Sequence, residues 1–394
     1  MNVTLLPKDE NEIAAAVANA AAQRLPLAIM GGGTRAGLGR PVAAKATLST
    51  RALTGITLYE PAELVLSARA GTPLEEIETL LAAKSQRLAF EPMDHRPLLG
   101  EGGEPTIGGV VAANVSGPRR IQAGAARDSL IGIRAVTGEG EIVKSGGRVM
   151  KNVTGYDLVK FLAGSYGTLA VLTEVSFKLI PSPETETTLV LTGLDDVAAV
   201  AALSAALGSP FSVTGAAHRP AFGREPARSF IRLDGFATSV ADRAKRLATD
   251  LTDYGKAEQL AGRASVSLWQ TIRDVALLGT APKVPIWRIS TRPSLAPALV
   301  ETVRRAFEAR VLYDWGGGLV WIAGGEGRDA GAAIIRGALG GNGHATLIRA
   351  SEEVRSAVEI FQPLAPPLLE LTRKLKRIFD PAGILNPGRV YAGL

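Results

Sequence analysis

The residues with the clearest chemical potential fall in one glycine-rich run: Gly31, Gly32, Gly33, Thr34 and Arg35, continued by Gly37, Leu38, Gly39, Arg40 and Pro41. Residues without a Cβ let successive backbone N–H groups turn into one concavity that binds an anion, and Thr34 and Arg35 add a hydroxyl and a cation. That chemistry suits a phosphate or diphosphate. An ordinary surface turn has the same composition, so the loop alone does not decide. The spacing of Gly31, Gly33 and Ala36 also satisfies the dinucleotide pattern G-x-G-x-x-A. Its context does not. A Rossmann loop opens a helix, whereas Gly37, Gly39 and Pro41 follow here, and residues 51–57 carry no carboxylate where a ribose ligand is expected.

Acid–base and metal chemistry have few candidates. The chain has no cysteine, which excludes disulfides, thiol nucleophiles, thiolate zinc sites and iron–sulfur clusters ligated by this chain. Redox chemistry would then need an organic cofactor. The three histidines, His95, His218 and His344, form no H-x-H pair and have no carboxylate at convincing metal-ligand spacing, so no metal site is expected. His344 follows Gly341, Asn342 and Gly343 and reads as a loop residue, either a base that takes a hydroxyl proton or a plain surface histidine. Arg288 lies between Trp287 and Ile289 in an apolar strand. It either faces solvent by strand alternation or pairs with a carboxylate, from Asp314 or from a substrate.

The elements that must position these residues follow from periodicity and punctuation. Residues 27–30 read as a short buried strand, preceded by an alanine-rich helix that Asp9 caps and that runs to about Arg24. Strand character returns at 56–59 and 64–70, and Pro73 opens an amphipathic helix. Thr106 caps a short helix whose small residues allow either close approach by a flat ligand or tight buried packing. Residues 130–143 look like two strands joined at 138–140, a polar run over 146–158 leads into a helix, and Gly167 turns into a strand ending at Pro181. One extended ligand could use all four glycine-led surfaces. The twice-proline stretch 181–187 marks a boundary, beyond which strand-like runs alternate with helices over 195–207, 239–251 and 297–309, implying one sheet with helices on one face. The helix expected over 366–379 carries Arg373, Lys374, Lys376 and Arg377, a face for an acidic partner or lipid, or simply a solvated one.

At 394 residues and 46% apolar the chain is long enough for two cored domains. Its net charge of +6 is scattered and aromatics are only 5%, which argues against nucleic acid. The first ten residues lack a leader's basic and apolar regions and no run of about 18 apolar residues occurs, so a cytoplasmic protein is expected, with peripheral attachment to the inner face of the cell membrane left open.

Together GGGTRAGLGRP (31–41), TIGGVVAANVSGPRR (106–120), GGRVMKNVTGYDL (146–158) and GSYGTLAVLTEVSFKLIP (164–181) resemble the FAD-binding domain of the vanillyl-alcohol oxidase and p-cresol methylhydroxylase (PCMH) superfamily. WRIS (287–290), DWGG (314–317), GHAT (343–346) and NPGRVY (386–391) make the chain similar, over nearly its whole length, to the FAD-binding E-subunit family of bacterial glycolate oxidases. The resemblance implies an α+β fold: a two-subdomain PCMH-type FAD-binding domain over 1–182, a smaller α+β cap or substrate domain over 183–350, and a C-terminal segment, 351–394, returning to the FAD domain. It implies FAD as cofactor. Gly31, Gly32, Gly33, Thr34 and Arg35 would cradle the diphosphate, Thr106, Gly108, Gly109, Ala112, Asn114 and Gly117 with Gly167, Leu169, Val171 and Leu172 would line the adenosine and isoalloxazine, and Gly37, Leu38 and Asn386 are further cofactor-binding candidates. Covalent members tether the flavin through a histidine in this loop or a cysteine farther on. Here Gly33 and Thr34 occupy the loop and no cysteine exists, so the FAD should be non-covalent. The turn over 93–105 departs from the family pattern, which leaves His95 without an assigned role.

The activity implied is oxidation of glycolate, or a related 2-hydroxy acid such as D-lactate, to the 2-oxo acid by hydride transfer to flavin, with His344 and Arg288 as the catalytic candidates. Partners implied are a second FAD-linked flavoprotein subunit and an iron–sulfur subunit of a glycolate oxidase complex, with electrons leaving to a partner protein or a quinone. An alternative is an accessory electron-transfer or assembly subunit whose partner flavoprotein oxidises the substrate. It is favoured by the lack of the metal-binding histidine pair typical of related flavoproteins. A reductase of the cell-wall UDP-sugar type on the same scaffold ranks last, because no nicotinamide-specific signal is present.

Overall fold

The computed structural model describes residues 3–147 and 157–394, which divide into two compact units. One comprises Met1–Ser116, Gly124–Pro181 and Pro363–Leu394, the other Gly117–Ala123 and Ser182–Gln362. Most of the polar run read at 146–158, residues 148–156, lies outside the described residues.

The first unit contains a three-stranded parallel sheet of β1 (Val3–Leu5), β2 (Leu27–Met30) and β3 (Ala46–Ser49), ordered β1-β3-β2. Between β1 and β2 runs the helix Glu10–Ala22. Asp9 starts it by accepting a hydrogen bond from the Glu12 N–H at 2.8 Å. The helix buries Ile13, Val17 and Ala20, one face at a period of three to four, in a core with Leu27, Leu48 and Leu385. In chain order the next strands are β4 (Ile56–Glu60), β5 (Val65–Arg69), β6 (Gln86–Arg87), β7 (Leu130–Thr137), β8 (Ile142–Gly146), β9 (Ala170–Lys178) and β10 (Ile180–Pro181). Five of them form an antiparallel sheet ordered β4-β5-β9-β7-β8, and β6 pairs with β10. Seven of the nine residues of central β9 are buried, so its near-continuous apolar run reflects cover on both faces.

The C-terminal segment belongs to this unit through specific bonds. After the helix Pro366–Phe379 the chain runs beside β2, where Leu27 N–H donates to the Ile384 carbonyl at 2.8 Å and Leu27 bridges Leu385 in parallel. Lys376 anchors the helix from inside. Its Nζ donates to Asp380 Oδ2 at 2.7 Å and to the Thr168 and Leu385 carbonyls at 2.7 and 2.8 Å. Of the four cations expected to share a surface, Lys376 is therefore turned inward, because its ammonium satisfies three buried acceptors there.

The second unit is built on one eight-stranded sheet of β11 (Thr185–Thr192), β12 (Gly215–Arg219), β13 (Arg228–Gly235), β14 (Glu258–Ala261), β15 (Ile286–Thr291), β16 (Ala309–Asp314), β17 (Leu319–Gly324) and β18 (Gly343–Arg349). Its order is β14-β11-β13-β12-β16-β17-β15-β18, with antiparallel pairings. The helices Asp196–Gly208 and Ala237–Asp250 pack Leu203 and Leu247 with Ala216 and Ile231, and Ala296–Ala306 and Ala332–Leu339 pack Val300 and Ile335 with Ile289 and Ile322.

Helices on one face were expected, and the structure adds a second layer. The helix Arg263–Arg273 sets Trp269 and Ile272 against Ala217 and Phe230, which by strand alternation point opposite to Ala216 and Ile231. The helix expected over 297–309 stops at Ala306, because Phe307 is extended and Ala309 opens β16. β12 escaped the sequence reading because Gly215, Ala216 and Ala217 carry no strand-forming side chains. Small residues are required there, since a Cβ at Gly215 would strike the Trp269 ring.

Candidate functional site

The glycine run leaves the end of β2 and forms one wall of a cleft in the first unit of about 820 Å³, counting its open mouth. The backbone N–H groups of Gly32, Gly33, Thr34 and Arg35 donate to no acceptor among the described residues. Four neighbouring donors of this kind form an anion-binding concavity. Gly33 takes a φ of +87°, and a Cβ on Gly31 or Gly32 would run into Thr106 Oγ1 or the Glu104 carbonyl, so glycine is required on both counts.

Arg35 is buried beside these donors. Its Nη1 lies 3.5 Å from Thr34 Oγ1, its Nη2 donates to the Met93 carbonyl at 3.3 Å, and its Nε has no protein acceptor. Burial pushes the guanidinium pKa down to about 10, against the opposing pull of Asp94, so it is cationic at neutral pH. A buried cation satisfied by two neutral oxygens is costly unless an anion completes its shell.

The opposite wall is the helix Ile107–Ala112. Thr106 caps it through Oγ1, which accepts from Gly109 N–H at 3.3 Å. Its small residues permit tight packing and leave one face open to the cleft. A Cβ at Gly108 would collide with Ala70, which is tight packing, whereas one at Gly109 would meet Arg35 Nη1 at 3.4 Å. Ala112, Ala113, Tyr166, Gly167, Ala170, Val171 and Leu172 make an apolar side suited to a flat ring.

Of the residues singled out from sequence, Gly31, Gly32, Gly33, Thr34, Arg35, Leu38, Thr106, Gly108, Gly109, Ala112, Gly167, Val171 and Leu172 line this cleft. The others are placed elsewhere. A Cβ on Gly37 would face Glu101 and Leu99. Asn114 Oδ1 accepts from Arg127 N–H at 3.1 Å, the Gly117 carbonyl accepts from Trp315 Nε1 at 3.1 Å, and Leu169 lies between the lining residues Gly167 and Ala170. Asn386 is buried behind β2: its Oδ1 accepts from Ile29 N–H at 2.8 Å, and its Nδ2 donates to the Tyr166 carbonyl at 2.8 Å. It ties the strand to the Tyr166–Gly167 turn, where both residues have positive φ.

Sequence reasoning missed Tyr166, Ala70, Thr50 and Arg389 as lining residues. Arg389, whose Nη2 donates to the Arg35 carbonyl at 2.9 Å, lies in the NPGRVY run and was detectable there. Ala70 and Thr50 carry no local signal.

In the second unit, Arg288 lies on β15 opposite Trp321 of β17 and Thr346 of β18. Its guanidinium carbon is 5.1 Å from the centroid of the Trp315 ring, and that of Arg120 is 4.6 Å from it. Trp315 is fixed by its bond to Gly117 and by Asp314 Oδ1, which accepts from its N–H at 2.7 Å. His344, read as a loop residue, is the second residue of β18 and pairs with Ser290. Its ring reaches solvent but is crowded by protein, and that crowding, with Arg288 and Arg120 nearby, lowers its pKa below the ordinary 6.5. Two arginines over one indole suit a carboxylate, and an imidazole within reach of their charge suits a proton acceptor. The other two histidines are buried away from this cluster: His218 Nδ1 lies 2.9 Å from Ser229 Oγ, and His95 opens the helix Arg96–Leu99.

Comparison with known proteins bears on both features. Residues 1–146 match the family described as FAD binding domain, and residues 359–390 match FAD linked oxidases, C-terminal domain. Glycolate oxidase subunit GlcE of Escherichia coli (strain K12) is 37% identical over 378 residues, 96% of either chain. The chain belongs to the GlcE family of FAD-linked oxidases. The GlcE-family chain is also 30% identical to glycolate oxidase subunit GlcD of Bacillus subtilis (strain 168), over 48% of its length and 39% of that protein, and 31% identical to D-lactate dehydrogenase of Archaeoglobus fulgidus, over 48% and 41%. Its fold matches 4-ethylphenol oxidase from Gulosibacter chungangensis at a TM-score of 0.74 and 12% identity, over 99% of this chain and 89% of that one. A second match, to alkyldihydroxyacetonephosphate synthase, has a TM-score of 0.67 at 15% identity, over 98% and 75%.

The protein is thus an FAD-linked oxidoreductase of PCMH-type α+β fold. The cleft fits the cofactor: unpaired N–H donors and a buried arginine match a diphosphate, and the apolar side matches a flat ring system. Among the described residues no helix is long and apolar enough to cross a membrane.

Proposed function

We propose that this chain oxidises glycolate, or a related 2-hydroxy acid such as D-lactate, to the 2-oxo acid within a glycolate oxidase complex. The observation that carries the substrate class is that Arg288 and Arg120 both lie over the Trp315 ring and that their charge acts on His344, alongside 37% identity to GlcE over nearly the whole chain. Residues 32–35 with Thr106 hold the cofactor's diphosphate, and Ala112, Gly167, Val171 and Leu172 flank its rings. The attachment is non-covalent, a reading that rests on Gly33 and Thr34 in the loop and on a sequence without cysteine. When bound, FAD supplies a two-electron acceptor for hydride. Arg288 and Arg120 orient the substrate carboxylate, and His344, neutral at pH 7, accepts the hydroxyl proton. The complex includes a second, GlcD-like flavoprotein and an iron–sulfur subunit, and its placement is cytoplasmic or peripheral on the inner face of the membrane.

A second reading makes the chain an accessory electron-transfer or assembly subunit, with oxidation on the partner flavoprotein. In its favour, the similarity to GlcD and to D-lactate dehydrogenase covers only 48% of this chain. Anaerobic addition of glycolate or D-lactate to the purified, FAD-loaded chain separates the two. Prompt loss of visible flavin absorbance supports oxidation here, and unchanged absorbance that bleaches only with the partner flavoprotein present supports the accessory role.

A further inference from the structure

The helix Pro366–Phe379 turns a row of large aliphatic side chains outward. Leu368, Leu371 and Ile378 are 54%, 52% and 67% exposed, and half-buried Leu375 completes the row. Their spacing of three, four and three residues is that of successive a and d positions in a heptad. At about 1.5 Å per residue the row is roughly 15 Å long, about one and a half heptads of seam. Lys376 holds the opposite face of the helix in the first unit through its three buried bonds, so the seam faces away from the unit's core. A surface helix with four aliphatic groups in one strict seam is the pattern of a helix that packs against another.

We propose that this seam docks an amphipathic helix of another subunit of the oxidase, with an acidic residue opposite Lys374. The proposal rests on the chain being a complex subunit and not on which subunit oxidises the substrate. Lys374 is exposed and occupies the g position beside the seam, the place that selects a partner by opposite charge. Pairing with a second copy offers Lys374 no acidic partner, because the e and g positions of this helix are Thr372, Phe379, Pro367 and Lys374 itself. An anionic membrane fits less well. The seam is narrow and carries no exposed aromatic residue, and Glu370 on the adjacent face draws in Arg377 at 3.2 Å and Arg373 at 3.8 Å, which weakens the attraction of a lipid surface.

The test uses the full FAD-loaded chain co-expressed with the GlcD-like and iron–sulfur subunits from the same genome. Wild type should co-purify with them, whereas Leu371→Glu and Ile378→Glu should each weaken that association by at least about tenfold. Both positions are solvent-facing, so flavin content and thermal midpoint should stay at wild-type values. Val197→Glu, an exposed apolar position on the second unit, is the control and should bind normally. Carbodiimide, which condenses an amine and a carboxylate with loss of water, should couple Lys374 to a partner Asp or Glu, and Lys374→Glu should abolish that adduct. Unaltered association in the Leu371 and Ile378 variants would overturn the proposal. So would failure of the wild type to bind either subunit, a concentration-dependent homodimer lost in Leu371→Glu, or seam-dependent sedimentation with phosphatidylglycerol vesicles.

Discussion

Arg35 carries a full charge into a wall where the protein offers its guanidinium only Thr34 Oγ1 and the Met93 carbonyl, with Nε unsatisfied. A charge-assisted bond to the diphosphate is worth about 1.5–3 kcal/mol, so Arg35→Ala should weaken FAD affinity roughly 10- to 150-fold in a flavin-fluorescence titration. Arg35→Lys should recover part of that loss, because it restores the charge without the planar fork. Full affinity in Arg35→Ala would place the diphosphate elsewhere. His344 sets a pH dependence. Its folded pKa lies below 6.5, so the unfolded chain binds its proton first. The stability this confers is complete above about pH 6.5 and is lost as pH falls through the lower folded value. As the base, His344 gives kcat/KM an acid limb below pH 6.5 that His344→Gln abolishes along with most of the rate. A limb that survives the substitution would assign it to another group.

At the scale of elements, the cleft depends on a clamp from the far end of the chain. Asn386 bonds Ile29 and the Tyr166 carbonyl at once, holding β2 and the Tyr166–Gly167 turn as two sides of one opening. Asn386→Ala removes its bonds to the part-buried Ile29 N–H and Tyr166 carbonyl, at a cost of about 0.5–1.5 kcal/mol for each bond lost. The expected result is a lower thermal midpoint with faster flavin loss, read by calorimetry and by absorbance after gel filtration. Asn386→Asp keeps the acceptor for Ile29 N–H but loses the donor to Tyr166, so an intermediate effect is expected. A melting point unchanged in both variants would show that the wall is held by other contacts.

For the whole molecule, the FAD cleft lies entirely within one of the two units, so ligand linkage should reach that unit first. FAD at about 100 times its dissociation constant adds about 2.7 kcal/mol to the unit that binds it. Calorimetry should show two transitions with only one raised by added FAD, and a single transition moving as a whole would mean that the units unfold together. The cofactor followed from the resemblance to a known family, and the phosphate-suited loop, the caps at Asp9 and Thr106 and most strands of the first unit were legible in the sequence. They are local: short runs of glycine, capping residues and period-two alternation carry their own physical meaning. The division of labour around them was not. Whether Gly108 serves packing or ligand, whether Lys376 faces solvent or three buried acceptors, and why β12 is a strand despite small residues depend on partners tens or hundreds of positions away. Composition and spacing marked one loop as suited to a phosphate, and the resemblance of its motifs to a known flavoprotein family supplied the cofactor. Only the tertiary structure decided which residues line one cleft, that Arg120 joins Arg288 on Trp315, and that the C-terminal helix shows its leucines to the outside, because burial belongs to the assembled fold and not to any stretch of sequence.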